Sequence, residues 1–307
     1  MRAGAVGRSG GRAIALLGAV LAVACQANAG GMAEFDGARA LSYVERQLAF
    51  GPRIPNTPGH RRMGDWLEAE LRRRADTVIV QPFTQRTSGG ETLRLRNFLA
   101  RFRPDATERV LLLAHWDTRP VADKDPNLGN RALPVPGAND GGSGVAVLLG
   151  VADALAARPP AYGVDLLFVD GEDFGDFSDT TETLLGSRYF AAHQPPGYPP
   201  LFAVLFDMVG DRDLEIPQEG YSVAAAPEVV NRMWRTAERL GYGRVFVSRV
   251  GQALTDDHLP LQQAGIRAID VIDYDYPYHH TIEDTIDKIS AQSLKMVGDV
   301  ALALVRE

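Results

Sequence analysis

Apolar residues recur along this chain in two rhythms. Residues 38–50 repeat at helical spacing, with Leu41, Val44, Leu48 and Ala49 near one face; residues 63–74 do the same with Met63, Trp66, Leu67 and Leu71. Between these two helices, 51–59 reads as a long irregular loop rich in Gly and Pro. Residues 77–83 and 93–102 alternate with period two, as half-buried strands do, around a turn at 86–90. Residues 110–114 are instead continuously apolar, which fits a strand covered on both faces. From there the rhythm is strand, loop, helix. The pattern predicts helices at 144–157, 185–193, 227–240, 260–264 and 290–306, and strands at 166–169, 201–206, 244–247 and 268–272. Such alternation predicts an α/β fold, a three-layer α/β/α sandwich with a mixed, mostly parallel central sheet.

The N-terminal thirty residues break that pattern. Arg2, Arg8 and Arg12 precede an apolar run at 13–24, too short to span a bilayer and suited to a signal-peptide core. The run ends Leu21-Ala22-Val23-Ala24-Cys25, resembling a bacterial lipoprotein processing box with Cys25 lipidated; Ala27-Asn28-Ala29 offers another cleavage site. Either reading exports the chain, to the periplasm, to an outer-membrane lipid anchor or to the outside. Residues 31–307 then form a single catalytic domain, since no repeat, low-complexity segment or linker divides them. Cys25 is the only cysteine, which excludes thiol catalysis and cysteine-ligated zinc from that domain. A formal charge of −7 without a basic tail argues against nucleic-acid binding. A monomer is expected.

Polar residues collect where the buried strands end. His115-Trp116-Asp117 follows 110–114, and Asp140 precedes the 144–157 helix. Asp170-Gly171-Glu172-Asp173 follows 166–169, and Asp207 follows 201–206. Asp256-Asp257-His258 precedes the 260–264 helix; Asp273 and then His279-His280-Thr281 follow 268–272. The carboxyl edge of a parallel sheet is where α/β folds keep their sites. Imidazoles and carboxylates without thiolates are the donors of a catalytic zinc site, with one coordination position left open. His60 and His193 read as structural or solvent-facing.

In this order the HxD at 115–117, the Ala-Asn-Asp stretch ending at Asp140, the Gly-Glu-Asp at 171–173, Asp207 and His280-Thr281 resemble the zinc aminopeptidase and glutaminyl cyclase superfamily, from about residue 38 to the C terminus. The resemblance implies that Asp140, Asp173 and His280 ligate zinc and that Glu172 is the general acid/base. It implies that His115 and Asp207 hold a second zinc in an aminopeptidase, and serve hydrogen bonding in a cyclase. One Zn2+ is therefore expected, or two if the protein is an aminopeptidase.

Three features favour the cyclase branch, which closes N-terminal glutamine of peptides or proteins to pyroglutamate. Twelve residues, 174–185, separate Asp173 from Gly186-Ser187-Arg188, a loop of the length cyclases carry. The segment 255–260 resembles the cyclase stretch whose second acid, here Asp257, hydrogen-bonds the substrate amide. The stretches 51–60 and 122–136 also resemble bacterial cyclases. One departure stands out: His279 holds the place where cyclases usually carry Trp, leaving Tyr276, Tyr278 and Phe174 as candidates to line the pocket. The alternatives are a two-metal aminopeptidase and a silent binding module.

Overall fold

The structure is a computed structural model and describes residues 1–5, 7, 35–178, 180–198 and 200–306. The leader expectation, Cys25 included, lies outside the described residues apart from 1–5 and 7. Asp36 and Thr57 each accept a backbone N–H from three residues on and start helices α1 (Gly37–Leu48) and α2 (Pro58–Arg72). Helix α2 begins earlier than hydrophobic spacing alone suggests. Pro58 occupies its first turn, where a missing N–H costs nothing. Strands β1 (Thr77–Arg86) and β2 (Thr92–Phe102) form an antiparallel hairpin, followed by β3 (Arg109–His115), buried at every position.

The remaining elements are α3 (Gly142–Ala157), β4 (Gly163–Val169), α4 (Leu185–Ala192), β5 (Ala203–Asp207), β6 (Ile216–Gln218), α5 (Gly220–Ala225), α6 (Pro227–Arg239), β7 (Phe246–Val250), α7 (His258–Gln263), β8 (Ala268–Ile272) and α8 (Ala291–Leu304). The main sheet has the order β1-β2-β4-β3-β5-β8. Strands β4, β3, β5 and β8 run parallel, and β2 joins β4 antiparallel. The predicted mixed, mostly parallel sheet is what forms. The strand expected at 244–247 lies at Phe246–Val250 and pairs with β6 in a separate two-stranded sheet.

Strand order places the site. The chain leaves β3 to form β4 on one side, then crosses to form β5 on the other, so a crevice opens at the carboxyl end of β3. Helix α3, mostly apolar and largely buried, lies against β3 and β5. Gly144 permits that approach, because a Cβ there would sit 2.1 Å from the Phe206 carbonyl oxygen. All four parallel strands deliver their carboxyl ends to the crevice.

Candidate active site

His115, the last residue of β3, is buried with Nε2 3.1 Å from Asp140 Oδ1 and 3.2 Å from Asp207 Oδ1. Two residues on, the Asp117 carboxylate accepts the backbone N–H of Glu172 and of Asp173, each at 3.1 Å. It thereby fixes the turn after β4. Asp170, the first acid of that turn, points inward: it accepts from Arg96 N–H and pairs with His60 at 2.8 Å. Asp140 rides on a loop held from two sides. The Asp284 carboxylate accepts Asn139 N–H and Asp140 N–H, and buried Arg53 donates to the carbonyls of Trp116, Pro136 and Gly137.

His280 adopts a left-handed backbone (φ 55°), and its Nε2 lies 3.5 Å from Asp140 Oδ2 and 3.3 Å from Asp173 Oδ1. Its Nδ1 faces Asp123 Oδ1 at 3.4 Å. Arg119 ties this half together: it donates to Asp173 Oδ1 (2.9 Å), to the Gly175 carbonyl (3.0 Å) and to both oxygens of Asp123. The Asp123–His280 contact is the arrangement by which an outer carboxylate orients a metal-binding imidazole.

These groups surround a cavity of about 340 Å³, whose wall includes Asp140, Glu172, Asp207, Asp256, His279 and His280. Burial, reinforced by the charges of Asp173, Asp256 and Asp257 against the pull of His115, holds the Glu172 carboxyl well above the usual carboxylate range. Burial acts against the charged form of His115, but Glu172, Asp117, Asp140 and Asp207 outweigh it and raise the imidazole well above its ordinary value. His280 is raised to about 9: Asp173 and Asp123 overcome its burial.

Two carboxylate oxygens, Asp140 Oδ2 and Asp173 Oδ2, are buried without a hydrogen-bond partner. Such atoms cost about 1–3 kcal/mol each unless something pairs with them. A cation fits the need. Among the described residues two donor trios gather within 4.8 Å: Asp140, His279, His280 and His115, Asp140, Asp207. Asp140 belongs to both, through different oxygens toward His115 and His280. Asp173 joins neither trio, being engaged by Arg119, although its Oδ1 is near His280.

The crevice thus brings together Asp140, Asp173, His280, His115, Asp207 and Glu172. Asp257 was expected to hydrogen-bond the substrate amide. Its carboxylate accepts from Ser187 O–H, and Asp256 lines the cavity in its stead. Burial raises Asp257 to about 7. Tyr276 hydrogen-bonds Asp284 and Phe174 packs with Leu93, Leu95 and Leu185; the aromatic wall is Phe177 and Tyr274. Asp273 sits beneath, accepting Glu215 N–H. His60 is not solvent-facing but stacks on Trp116. Sequence reasoning missed Arg53, Arg119, Asp123 and Asp284. Arg53 and Asp123 lie within the stretches 51–60 and 122–136, and Arg119 stands two residues beyond the HxD motif; no motif included Asp284.

The profile described as peptidase family M28 matches residues 97–305. The chain belongs to peptidase family M28. Its fold is shared with a Zn-dependent exopeptidase from Parabacteroides distasonis ATCC 8503 (36% identity, TM-score 0.87, covering 90% of this chain and 100% of that one). Tannerella forsythia glutaminyl cyclase is equally similar in fold (40% identity, TM-score 0.85, covering 89% and 99%). A curated relative, aminopeptidase YwaD of Bacillus subtilis, is 28% identical over 298 residues, 90% of this chain; the match spans 58% of that relative's length. The zinc-dependent reading is supported from both branches, and this M28 chain carries the donor set a metal needs.

Proposed function

We propose that this M28 protein is a zinc-dependent glutaminyl-peptide cyclotransferase acting on peptides or proteins with N-terminal glutamine. In the reaction the substrate α-amine attacks the γ-carboxamide carbon, the C–N bond to the side-chain nitrogen breaks, and ammonia leaves. Asp140, Asp173 and His280 would hold the zinc, which when bound polarises the γ-carbonyl. Buried Glu172 takes the proton released by the amine and delivers it to the departing nitrogen; a carboxyl with a raised pKa suits both halves of that transfer. The wall holds the amine against the amide, an effect that can reach ~7–11 kcal/mol. Asp256 and Asp257, the latter steadied by Ser187, add the acidic surroundings that keep Glu172 able to hold a proton.

One observation carries this reading. In the stretch that follows Asp173, Asp176 and Phe177 line the crevice, and Phe177 lies 6.3 Å from His280 ring to ring. The Phe177 ring beside the reacting groups is a face against which a substrate side chain can be held for an intramolecular closure, which needs no water. The likeness to the T. forsythia cyclase points the same way. The His115–Asp140–Asp207 trio favours a second reading, a two-metal aminopeptidase with Glu172 activating water.

Gln-β-naphthylamide separates the two. Pyroglutamyl-β-naphthylamide plus ammonia supports the cyclase; free naphthylamine without pyroglutamyl product defeats it. The leader reading adds export, with Cys25 as a lipid-anchor site. Radiolabelled palmitate incorporation lost in Cys25→Ser tests that part.

A further inference from the structure

His279 poses a chemical question that geometry alone leaves double. Successive side chains of an extended strand point apart. The left-handed backbone at His280 instead brings the two imidazoles together, with centroids 3.9 Å apart. His279 Nε2 then lies 4.0 Å from the unpartnered Asp140 Oδ2, and the residue completes a compact donor trio with Asp140 and His280. Its other nitrogen decides the matter. Lys124 Nζ lies 3.2 Å from His279 Nδ1. An ammonium has three donors and no acceptor, so Nδ1 must accept and the ring proton must sit on Nε2. A protonated Nε2 has no lone pair for a metal.

Lys124 is placed for this by more than its side chain. Its backbone N–H donates to the His280 carbonyl at 3.3 Å, and its ammonium rests 5.3 Å over the Tyr274 ring, which also packs on His279 at 5.4 Å. We propose that Lys124 is a positioning residue that holds His279 as an N–H donor facing the cavity and so keeps its imidazole out of the zinc's donor set. Resting on the zinc reading above, this would leave open for a substrate carbonyl the coordination position that a second imidazole would otherwise take, and offers that substrate an N–H. Without Lys124 the proton is free to move to Nδ1, and Nε2 becomes a ligand.

The test uses the full chain loaded with Co2+ for visible d–d absorption, and with Zn2+ in competition against a chelator. Lys124→Met is expected to intensify and shift the cobalt bands and to tighten zinc about tenfold, the low end of effects from residues beyond the ligands. The double variant Lys124→Met/His279→Gln returns both readouts to the wild-type values, and His279→Gln alone leaves the cobalt spectrum as it was. Circular-dichroism melts check that each variant folds. Unchanged bands and affinity in Lys124→Met overturn the proposal. So does His279→Gln weakening zinc by itself, because His279 would then already be a ligand. A wild-type chain that takes up neither metal defeats the zinc reading and the proposal with it.

Discussion

At the scale of single residues, Arg53 has an unusual task. It is fully buried, and its guanidinium is directed at main-chain carbonyls: Trp116, Pro136 and Gly137. Burial lowers its pKa to about 10, with the charges of Asp284, Asp117 and Asp140 opposing the drop, so the group stays cationic at neutral pH. The forked donor array matches several acceptors at once, which a lysine ammonium cannot do from one point. Arg53→Lys therefore leaves buried carbonyls unpaired at about 1–3 kcal/mol each. The expected result in differential scanning calorimetry is a melting temperature lower by roughly 5–10 °C, at about 2–4 °C per kcal/mol for a domain of this size. Zinc retention should fall in parallel, because the loop Arg53 clasps carries Asp140. Glu172 is the contrasting case, a residue expected to matter for chemistry and little for structure. Glu172→Gln keeps the shape and removes the proton carrier, so turnover should drop about 10²–10⁴-fold. Metal analysis should find zinc still bound; a variant with near-normal turnover removes Glu172 from the role assigned to it.

At the scale of elements, periodicity carried far. The all-apolar stretch around residues 110–114 became the central strand, and each strand–loop–helix unit after it formed near its expected place. Two elements escaped notice for physical reasons. Strand β6 is three residues long with Pro217 in the middle, and α5 is a six-residue helix capped by Glu219, too short for a 3.6 period to show. The end of β8 makes a prediction of its own. Asp273 is buried there, and burial, with Asp211, Asp275 and Glu215 nearby, raises its carboxyl to about 7 despite the N–H it accepts from Glu215. The unfolded group titrates near 4. Between those values the folded state holds a proton the unfolded state has lost, so stability falls as pH rises from about 4 to about 7, and the full penalty applies above that. Asp273→Asn cannot ionise. Its melting temperature should exceed that of the wild type at alkaline pH and converge on it in acid; parallel curves across the whole range contradict the assignment.

At the scale of the whole molecule, the donors come from five separated stretches, and a linear pattern shows residue types without showing which oxygen faces which nitrogen. Sequence reasoning could gather Asp140, Asp173, His280, His115, Asp207 and Glu172 because each follows a buried strand or precedes a helix. It could not see Arg119 reaching from residue 119 to Asp173, or Asp123 reaching His280 across more than 150 residues, because those contacts exist only once the sheet has closed. Nor could it see that His115 Nε2 already lies between the Asp140 and Asp207 carboxylates, at 3.1 and 3.2 Å. That last fact bears on metal number. With Asp117, Asp140, Asp207 and Glu172 around it, His115 is raised well above its usual pKa despite burial, so without metal a cation, the imidazolium, already stands in the second trio. A metal at that position requires the neutral ring and must release the proton. One tight zinc equivalent per chain is expected at neutral pH, with a second, weaker equivalent that strengthens as pH is raised and the imidazolium gives up its proton. Isothermal titration in buffers of different ionisation enthalpy counts both the equivalents and the protons released. Two equal, tight equivalents at neutral pH would move the balance to the aminopeptidase. One equivalent, with His115→Gln abolishing only the weak alkaline site, supports a centre in which a histidine takes the place of the second metal.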